Sequence, residues 1–434
     1  MGQTIIAIAI FLITYAVIVT EKINRAVISL LGASLLVLVG VLDIHRVFEH
    51  YIEWNTITLL IGMMILVGIL NQTGVFQYVA IKAAKAAKGN PVRILIVFSL
   101  LTAVASAFLD NVTTVLLVVP ITLAVTHILK VSPVPFFISE IIASNIGGTA
   151  TLIGDPPNIM IGSANEHLTF NAFLIHLGPV IVVILAVSLL LLYWFYRKQL
   201  ITDEEHVSRL MEMDEETYIQ DRTLAKKSLF VLGLTILGFV LHSVIHVEAS
   251  VIAITGATIL MLIGLDKKEI EEAFDYVEWE TIFFFAALFT LVGGLQEAGV
   301  IKHLAVQLLD FTKGNIPLAA TLILWVSGIA SAVIDNIPFV ATMIPLIQNM
   351  ATTLGLPVNS PEMNALWWSL ALGACLGGNG TIIGASANVI VANMAARQGK
   401  GFSYMEYLKV GAPITLLSLA IAQVYLYLRY LIHF

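Results

Sequence analysis

Charge is scarce in this chain. Of its 434 residues 12% are charged and 59% hydrophobic, where a soluble protein carries about 25% charged residues. Cysteine is nearly missing: Cys375 stands alone, which excludes a disulfide framework and a CxxC metal site. No P-loop, HExxH or GxSxG occurs, and there is no DDxxD, serine-nucleophile motif or His cluster, so neither an enzyme nor ATP-driven transport by this chain itself is expected. No resident cofactor or metal is expected, and no nucleic-acid partner. The net charge of −7 comes mostly from one stretch, Thr202 to Asp221, which reads as a solvated connector. The first apolar segment, Ile5 to Thr20, has no basic residues before it; Lys22 and Arg25 follow it. It therefore reads as a retained span and not a cleaved signal peptide.

What remains is apolar sequence in runs longer than the roughly 18 residues that cross a bilayer. Two of these runs are interrupted in the same way, SAFLDNVTTVLLVVP at Asp110-Asn111 and SAVIDNIPFVATMIP at Asp335-Asn336. A carboxylate at membrane depth is costly and marks a functional site by default.

The two interruptions belong to a duplication. At a constant offset of 225, Glu53-Trp54 falls on Glu278-Trp279, Gly68 on Gly293, Gly74-Val75 on Gly299-Val300, Lys88-Gly89-Asn90 on Lys313-Gly314-Asn315, and Pro120 on Pro345. Upstream the offset is 224, with Gly32-Ala33 on Gly256-Ala257. Downstream it is 230, with Gly147-Gly148 on Gly377-Gly378, Thr151 on Thr381, Gly154 on Gly384 and Asn158 on Asn388. Shared apolar composition does not produce polar and glycine identities in register.

The fold class expected is an all-α membrane protein. A first repeat over 1–200 has spans near 4–20, 26–42, 56–75 and 171–196, a hairpin at 94–128 and a broken helix at 137–162. A connecting loop follows at 201–227. The second repeat, 228–434, has spans near 228–246, 249–265, 281–299 and 407–428, a hairpin at 316–350 and a broken helix at 365–394. If each Asp-Asn segment re-enters and returns to its own side, each repeat makes five crossings. An odd number inverts one repeat against the other and gives about ten spans and two hairpins. With the Lys22/Arg25 side placed in the cytoplasm, 18 of the 22 Lys and Arg residues fall inside and only Arg46, Lys302, Lys313 and Arg429 outside, as the positive-inside rule requires. Both termini then lie outside a plasma membrane.

Inverted repeats with interrupted helices place a solute near the midplane. The second interruption in each repeat is rich in glycine, NIGGTATLIGDPPN and CLGGNGTIIGASAN, and non-helical backbone at that depth must be buried or line a cavity. Asp110, Asn111, Asp335 and Asn336 are the candidates for coupling-ion binding. Thr113, Thr114, Thr149, Thr151, Asn158, Asn379, Thr381 and Asn388 are those for the solute, with Ser386 nearby. These are hard oxygen and amide groups, suited to H⁺, small cations or oxygen-bearing solutes. Structural roles compete: Asp caps helices well, Asn158 and Asn388 cap resumed helices equally well, and the glycines serve close helix packing. Asp155, whose counterpart is Ala385, reads as a turn residue near the surface. Cys375 reads as a small hydrophobe. Trp54 and Trp279 read as interfacial, and Phe283-Phe284-Phe285 as lipid-facing or packed. Two unpaired intramembrane acids are hard to explain in a merely structural membrane protein.

The motifs LDNVTTVLLVVP, GGTATLIGDPPNIMIGSAN and IDNIPFVATMIP resemble the ArsB/NhaD branch of the ion transporter superfamily, in particular arsenical-pump-like proteins and the melanosomal P-protein. The resemblance spans essentially the whole chain. It implies a scaffold, a moving domain and elevator-like exchange. It also implies a homodimer in membrane lipid, and for an arsenical pump a separate ATPase subunit. Sodium-coupled carboxylate transporters of the superfamily carry Ser-Asn-Thr at the hairpin tips. Asp-Asn here points to proton or Na⁺ coupling and away from di- and tricarboxylates, and Pro338 breaks the Asn-Thr pattern. The function expected is efflux of arsenite or antimonite in exchange for protons, with Asp110 and Asp335 carrying the proton. Na⁺/H⁺ antiport and a P-protein-like anion conductance are the alternatives.

Overall fold

The computed structural model describes residues 2–20 and 22–433, and among these every regular element is helical. The first half contains α1 (Gly2–Val19), α2 (Arg25–Leu38), the short α3 (Ile44–Arg46), α4 (Trp54–Gln72), α5 (Val75–Ala86), α6 (Pro91–Phe108), α7 (Asn111–Leu129), α8 (Val134–Gly148), α9 (Pro156–Ser163), α10 (Phe170–His176) and α11 (Gly178–Tyr196). After α12 (Glu204–Met211) the pattern returns as α13 (Arg222–Ile245), α14 (Ala249–Gly264), the short α15 (Lys267–Ala273), α16 (Trp279–Glu297), α17 (Val300–Thr312), α18 (Ile316–Val333), α19 (Asn336–Leu354), α20 (Pro361–Gly377), α21 (Ser386–Arg397) and α22 (Tyr404–Arg429).

Local chemistry explains why the halves match. Lys88-Gly89 and Lys313-Gly314 all take positive φ, a turn that glycine makes cheaply. The asparagine that follows then caps the next helix: Asn90 Oδ1 accepts from Arg93 N at 3.0 Å and Asn315 Oδ1 from Leu318 N at 2.8 Å, satisfying donors that a helix N-terminus leaves free. Proline at the first helical turn of α6 and α18 completes the start signal. Both helices stop before an Asp that caps the next one, Asp110 for α7 and Asp335 for α19.

Ten helices among the described residues are long and apolar enough to cross a membrane. They are not the ten anticipated. All four arms of the Asp-Asn segments, α6, α7, α18 and α19, pass the test, whereas α2 and α14 fall short at 14 and 16 residues. Other boundaries differ too. α13 begins at Arg222 and absorbs the end of the expected 201–227 loop, and the span near 171–196 divides into α10 and α11 at Leu177. α5 and α17 were not anticipated; they are short helices with one apolar face, and they follow glycines with φ of +77° and +73°.

The connector is not merely solvated. Leu210 is buried, Lys85 Nζ donates to Glu215 Oε2 at 2.6 Å and to the Met213 carbonyl at 3.0 Å, and Thr202 Oγ1 donates to the Leu129 carbonyl at 2.6 Å. These contacts strap it across the ends of α5 and α7.

Two kinds of packing recur. Each Asp-Asn arm lies on the broken helix of its own repeat, α6 on α8 and α18 on α20. The other pairs are exchanged between repeats: α2 packs on α16 and α14 on α4. The halves are therefore interwoven. Glycine makes the first contact possible, since a Cβ on Gly147 would stand 2.0 Å from the Ala103 carbonyl oxygen. α8 and α20 are buried along almost their whole length, while α1, α11 and α13 turn most of their apolar surface outward, as a lipid-facing shell does. Trp54 and Trp279 sit half exposed at the starts of α4 and α16; Phe283 is exposed and Phe284 and Phe285 are buried.

Candidate functional site

The centre of the molecule is where both Asp-Asn turns meet both helix breaks, 149–155 and 378–385. Each break is stitched to its own turn. Thr151 Oγ1 donates to the Ala107 carbonyl, and Thr381 Oγ1 to the Ala332 carbonyl at 2.5 Å. These are carbonyls of the last turns of α6 and α18, which have no intrahelical partner. Asn158 Nδ2 gathers the carbonyls of Thr149 and Thr151 at 3.1 and 2.8 Å, and Asn388 Nδ2 those of Gly378 and Thr381 at 2.7 and 2.9 Å. Four of the expected solute ligands, Thr151, Thr381, Asn158 and Asn388, thus each use a side-chain donor to hold a break.

The remaining amide oxygens cross between the repeats. Asn145 Nδ2 donates to Asn388 Oδ1 and Asn379 Oδ1, both at 2.9 Å. In the reciprocal position Cys375 Sγ lies 3.5 Å from Asn158 Oδ1, and Asn145 and Cys375 are related by the same offset of 230. Asn111 Nδ2 extends the network to Asn145 Oδ1 at 3.0 Å and Asp155 Oδ1 at 3.3 Å. Asn379 Nδ2 donates to the Ile142 carbonyl at 3.2 Å, and Thr149 Oγ1 back to the Asn145 carbonyl at 2.7 Å. Asn111, Asn145, Asn158, Asn388, Thr149 and Asp155 are all buried.

Three groups at or near this centre are poorly satisfied. Thr114 Oγ1 is buried without a hydrogen bond, and Asp155 Oδ2 and Asn336 Nδ2, also buried, make none of good geometry, although they lie close to each other and the Cys375 thiol lies close to Asp155. Asp155 is therefore no surface turn residue. It is fully buried, and it lies within electrostatic reach of both Asp110 and Asp335. Proline at the first turn of α9 fixes the chain beyond it, so its carboxylate is directed inward.

The two signature acids are not equivalent. Asp110 is served locally, by Thr113 N at 2.9 Å and Thr113 Oγ1 at 2.5 Å. Asp335 has Pro338 at the corresponding position, which offers neither group. Its Oδ1 accepts from Ile337 N at 3.1 Å, and its Oδ2 from Ser386 Oγ at 2.7 Å and Arg25 Nη1 at 3.2 Å. The expectation of two unpaired acids fails at Asp335. Arg25 had counted only towards membrane orientation, and its partner lies 310 positions away, beyond the reach of any local pattern. Asn145 was overlooked as well, although a polar residue recurring as Cys375 in an apolar helix was a readable signal.

A cavity of about 580 Å³ opens on the Arg25 side, lined by Arg25, Asp335, Ser386, Glu278 and Asn393. The repeat-related space, between Asn55, Gly162, Ser163 and His242, measures about 30 Å³. The two repeat-related spaces are thus unequal, the wider one on the Arg25 side. No group of three or more His, Cys, Asp or Glu residues among those described is placed to hold a metal ion.

An all-helical, lipid-shelled bundle with a polar centre at paired helix breaks defines a membrane transporter, and the comparisons agree. The family model described as "Citrate transporter" matches residues 15–373, and the chain belongs to that family. An uncharacterized transporter of Mycobacterium bovis is 43% identical over 434 residues, covering 99% of both chains. A 46 kDa membrane protein of Mycobacterium leprae is 42% identical over 99% of this chain and all of its own length. The human P protein is 36% identical over 99% of this chain, which spans 60% of that protein. Among solved structures, the YdaH transporter of Alcanivorax borkumensis shares the fold with a TM-score of 0.60 at 14% identity, covering 98% of this chain and 97% of that one. The P-protein kinship expected from the motifs is found; the narrower ArsB/NhaD placement is not what the family model gives.

Proposed function

We propose that the chain is a secondary transporter whose Asp-Asn turns are re-entrant hairpin tips entering from opposite faces of a plasma membrane. Their amide-lined meeting point binds a small solute, while Asp110 and Asp155 exchange a proton or Na⁺. The observation that carries this reading is the meeting of Asp155 and Asn336, an acceptor from one repeat and a donor from the other, both buried and facing each other without a well-formed hydrogen bond. Each such group costs about 1–3 kcal/mol, and a ligand that bonds both relieves that cost. Charge decides the class of solute. Asp155 lies within the field of both Asp110 and Asp335, with only Arg25 paired to one of the three. That favours a cation or a neutral hydroxylated solute, and it opposes a free tricarboxylate of the kind the family description names. A neutral metalloid hydroxide, arsenite or antimonite, exchanged for protons fits best. Na⁺/H⁺ exchange is the competing use of the same acids, and an anion conductance of the P-protein type fits this charge least. The Arg25 face is cytoplasmic in this reading, both termini are outside, and an elevator-like movement exposes the centre alternately. A homodimer and a separate ATPase subunit are compatible with it.

Everted vesicles loaded with a pH-sensitive dye test the proposal. Arsenite, Na⁺ and citrate are added in turn, with and without Asp110→Asn or Asp155→Asn. A pH response to arsenite that both variants abolish is expected. A response to Na⁺ alone assigns the antiporter. Citrate accumulation, or full coupling in both variants, overturns the charge argument.

A further inference from the structure

The asymmetry at the two acids has a consequence for how many ions the molecule carries. The duplication creates two Asp-Asn turns and hence, by symmetry, two equivalent cation sites. In the second, three substitutions against the repeat converge on one carboxylate. Arg25 stands where the other repeat has Ala249, Ser386 where it has Pro156, and Pro338 where it has Thr113. Pro338 removes the local donors that serve Asp110. Arg25 and Ser386 replace them from two other helices, with Arg25 Nη1 also 2.5 Å from Ser386 Oγ, so that guanidinium, hydroxyl and carboxylate close a triangle. The guanidinium rests on the face of Phe284, 5.0 Å from its centroid, an arrangement that favours a cation.

We propose that Arg25 is the resident counter-ion of Asp335, a tethered cation standing where the first repeat holds an exchangeable one, so that the transporter has one exchangeable cation site at its Asp-Asn turns and not two. The inference rests on the coupling role proposed above for Asp110. Arginine keeps its charge in proteins. A second cation, or a proton, arriving at Asp335 therefore has to compete with a guanidinium whose Nη1 is shared between the Asp335 carboxylate and the Ser386 hydroxyl. The other charged or titratable groups facing Asp335 do not offer a substitute: Glu278 of α16 lines the same cavity, Tyr15 of α1 and Asp155 of the first break lie within its field, and none is cationic. The cavity reaches this pair from the Arg25 side, so the site is accessible and is held by the protein's own side chain.

Exchangeable monovalent cations are counted on the purified full-length protein in two ways: radioactive Na⁺ retained in equilibrium dialysis, and protons seen as the carboxylic-acid carbonyl band in infrared difference spectra. Asp335→Asn is expected to leave the total unchanged, and Asp110→Asn to lower it by one. Arg25→Gln is expected to raise it by one, a gain that Asp335→Asn removes in the Arg25→Gln background, and Arg25→Lys to keep the wild-type total. A total lowered by Asp335→Asn alone overturns the proposal, as does an unchanged total in folded Arg25→Gln. If Arg25→Gln does not fold, the comparison of Asp335→Asn with wild type decides. If Arg25→Gln gains a cation but Asp110→Asn loses none, the coupling role of Asp110 fails and the assignment of Arg25 stands.

Discussion

Replacing Asn145 by alanine tests whether the amide network joins the two repeats energetically. The side chain donates to Asn379 Oδ1 and Asn388 Oδ1 and accepts from Asn111 Nδ2. Its loss leaves two buried acceptors without donors, whereas Asn111 keeps its bond to Asp155. At about 1–3 kcal/mol for each orphaned group, Asn145→Ala should cost roughly 2–6 kcal/mol. In an Asn388→Ala background one of those acceptors is already gone, so the same change orphans only Asn379. The double variant should therefore be more stable than the sum of the single ones by about 1–3 kcal/mol, the coupling energy expected of contacting residues. Reversible unfolding in mixed detergent micelles reads these values, followed by the fluorescence of Trp367 and Trp368, which are buried in α20. Additivity within about 0.5 kcal/mol, the behaviour of independent sites, refutes a direct Asn145–Asn388 bond and with it the idea that the breaks hold each other.

Other expectations follow from neighbouring groups. Thr151→Val and Thr381→Val each strip a part-buried carbonyl of its donor and should destabilise by about 1 kcal/mol while leaving solute KM unchanged; a selective rise in KM would assign them a ligand role. Gly147→Ala drives a methyl group against the Ala103 carbonyl oxygen, which has no flexible end to yield. It should cost about 1–3 kcal/mol by overpacking, read in the same unfolding assay, and wild-type stability would show that α6 and α8 are not in contact there. The Lys85 ammonium holds Glu215 below its ordinary value of 4.5. A depressed folded-state pKa stabilises above the unfolded value and loses that contribution as pH falls through the folded one. Protection against hydrogen exchange in the 201–221 connector, taken relative to the intrinsic rate at each pH, should therefore be high above pH 4.5 and fall at more acidic pH, and Lys85→Met should remove this pH dependence. A connector whose protection is the same at all pH values contradicts the strap.

Much of the frame was legible because it is encoded locally and twice. Asp110 and Asp335 end one helix and cap the next, Lys-Gly-Asn turns precede both arms, and the glycine-rich breaks fall where the motifs place them; each depends on residues a few positions apart. The short helices α5 and α17 escaped because their apolar faces are narrow, and a search for membrane-length runs passes over them. The central contacts escaped for a different reason. Asn145 to Asn388 and Arg25 to Asp335 span 243 and 310 positions. No periodicity reports such a pairing, and the residues on each side have ordinary local readings. Asp155 was misjudged because Asp-Pro-Pro is a surface-turn signal in soluble chains, whereas at membrane depth the same stiff tripeptide directs a carboxylate into the interior.

The duplication itself separates frame from chemistry. Positions that shape the backbone are the same in both halves: the capping Asp, the asparagine after it, Thr151 and Thr381, Asn158 and Asn388, and the paired glycines. Some positions that face the centre are also shared, such as Asn111 and Asn336, but others differ: Asn145 against Cys375, Thr149 against Asn379, Asp155 against Ala385, Pro156 against Ser386, Thr113 against Pro338. A merely structural duplication has no reason to vary at the positions that meet across the repeat interface while holding the frame constant. A transporter does have one. In the mechanism proposed above, its two halves stay alike enough to open in turn to opposite sides, while the solute and the coupling ion share a single place between them. In this chain the first half supplies the additional acid and the second half receives the arginine.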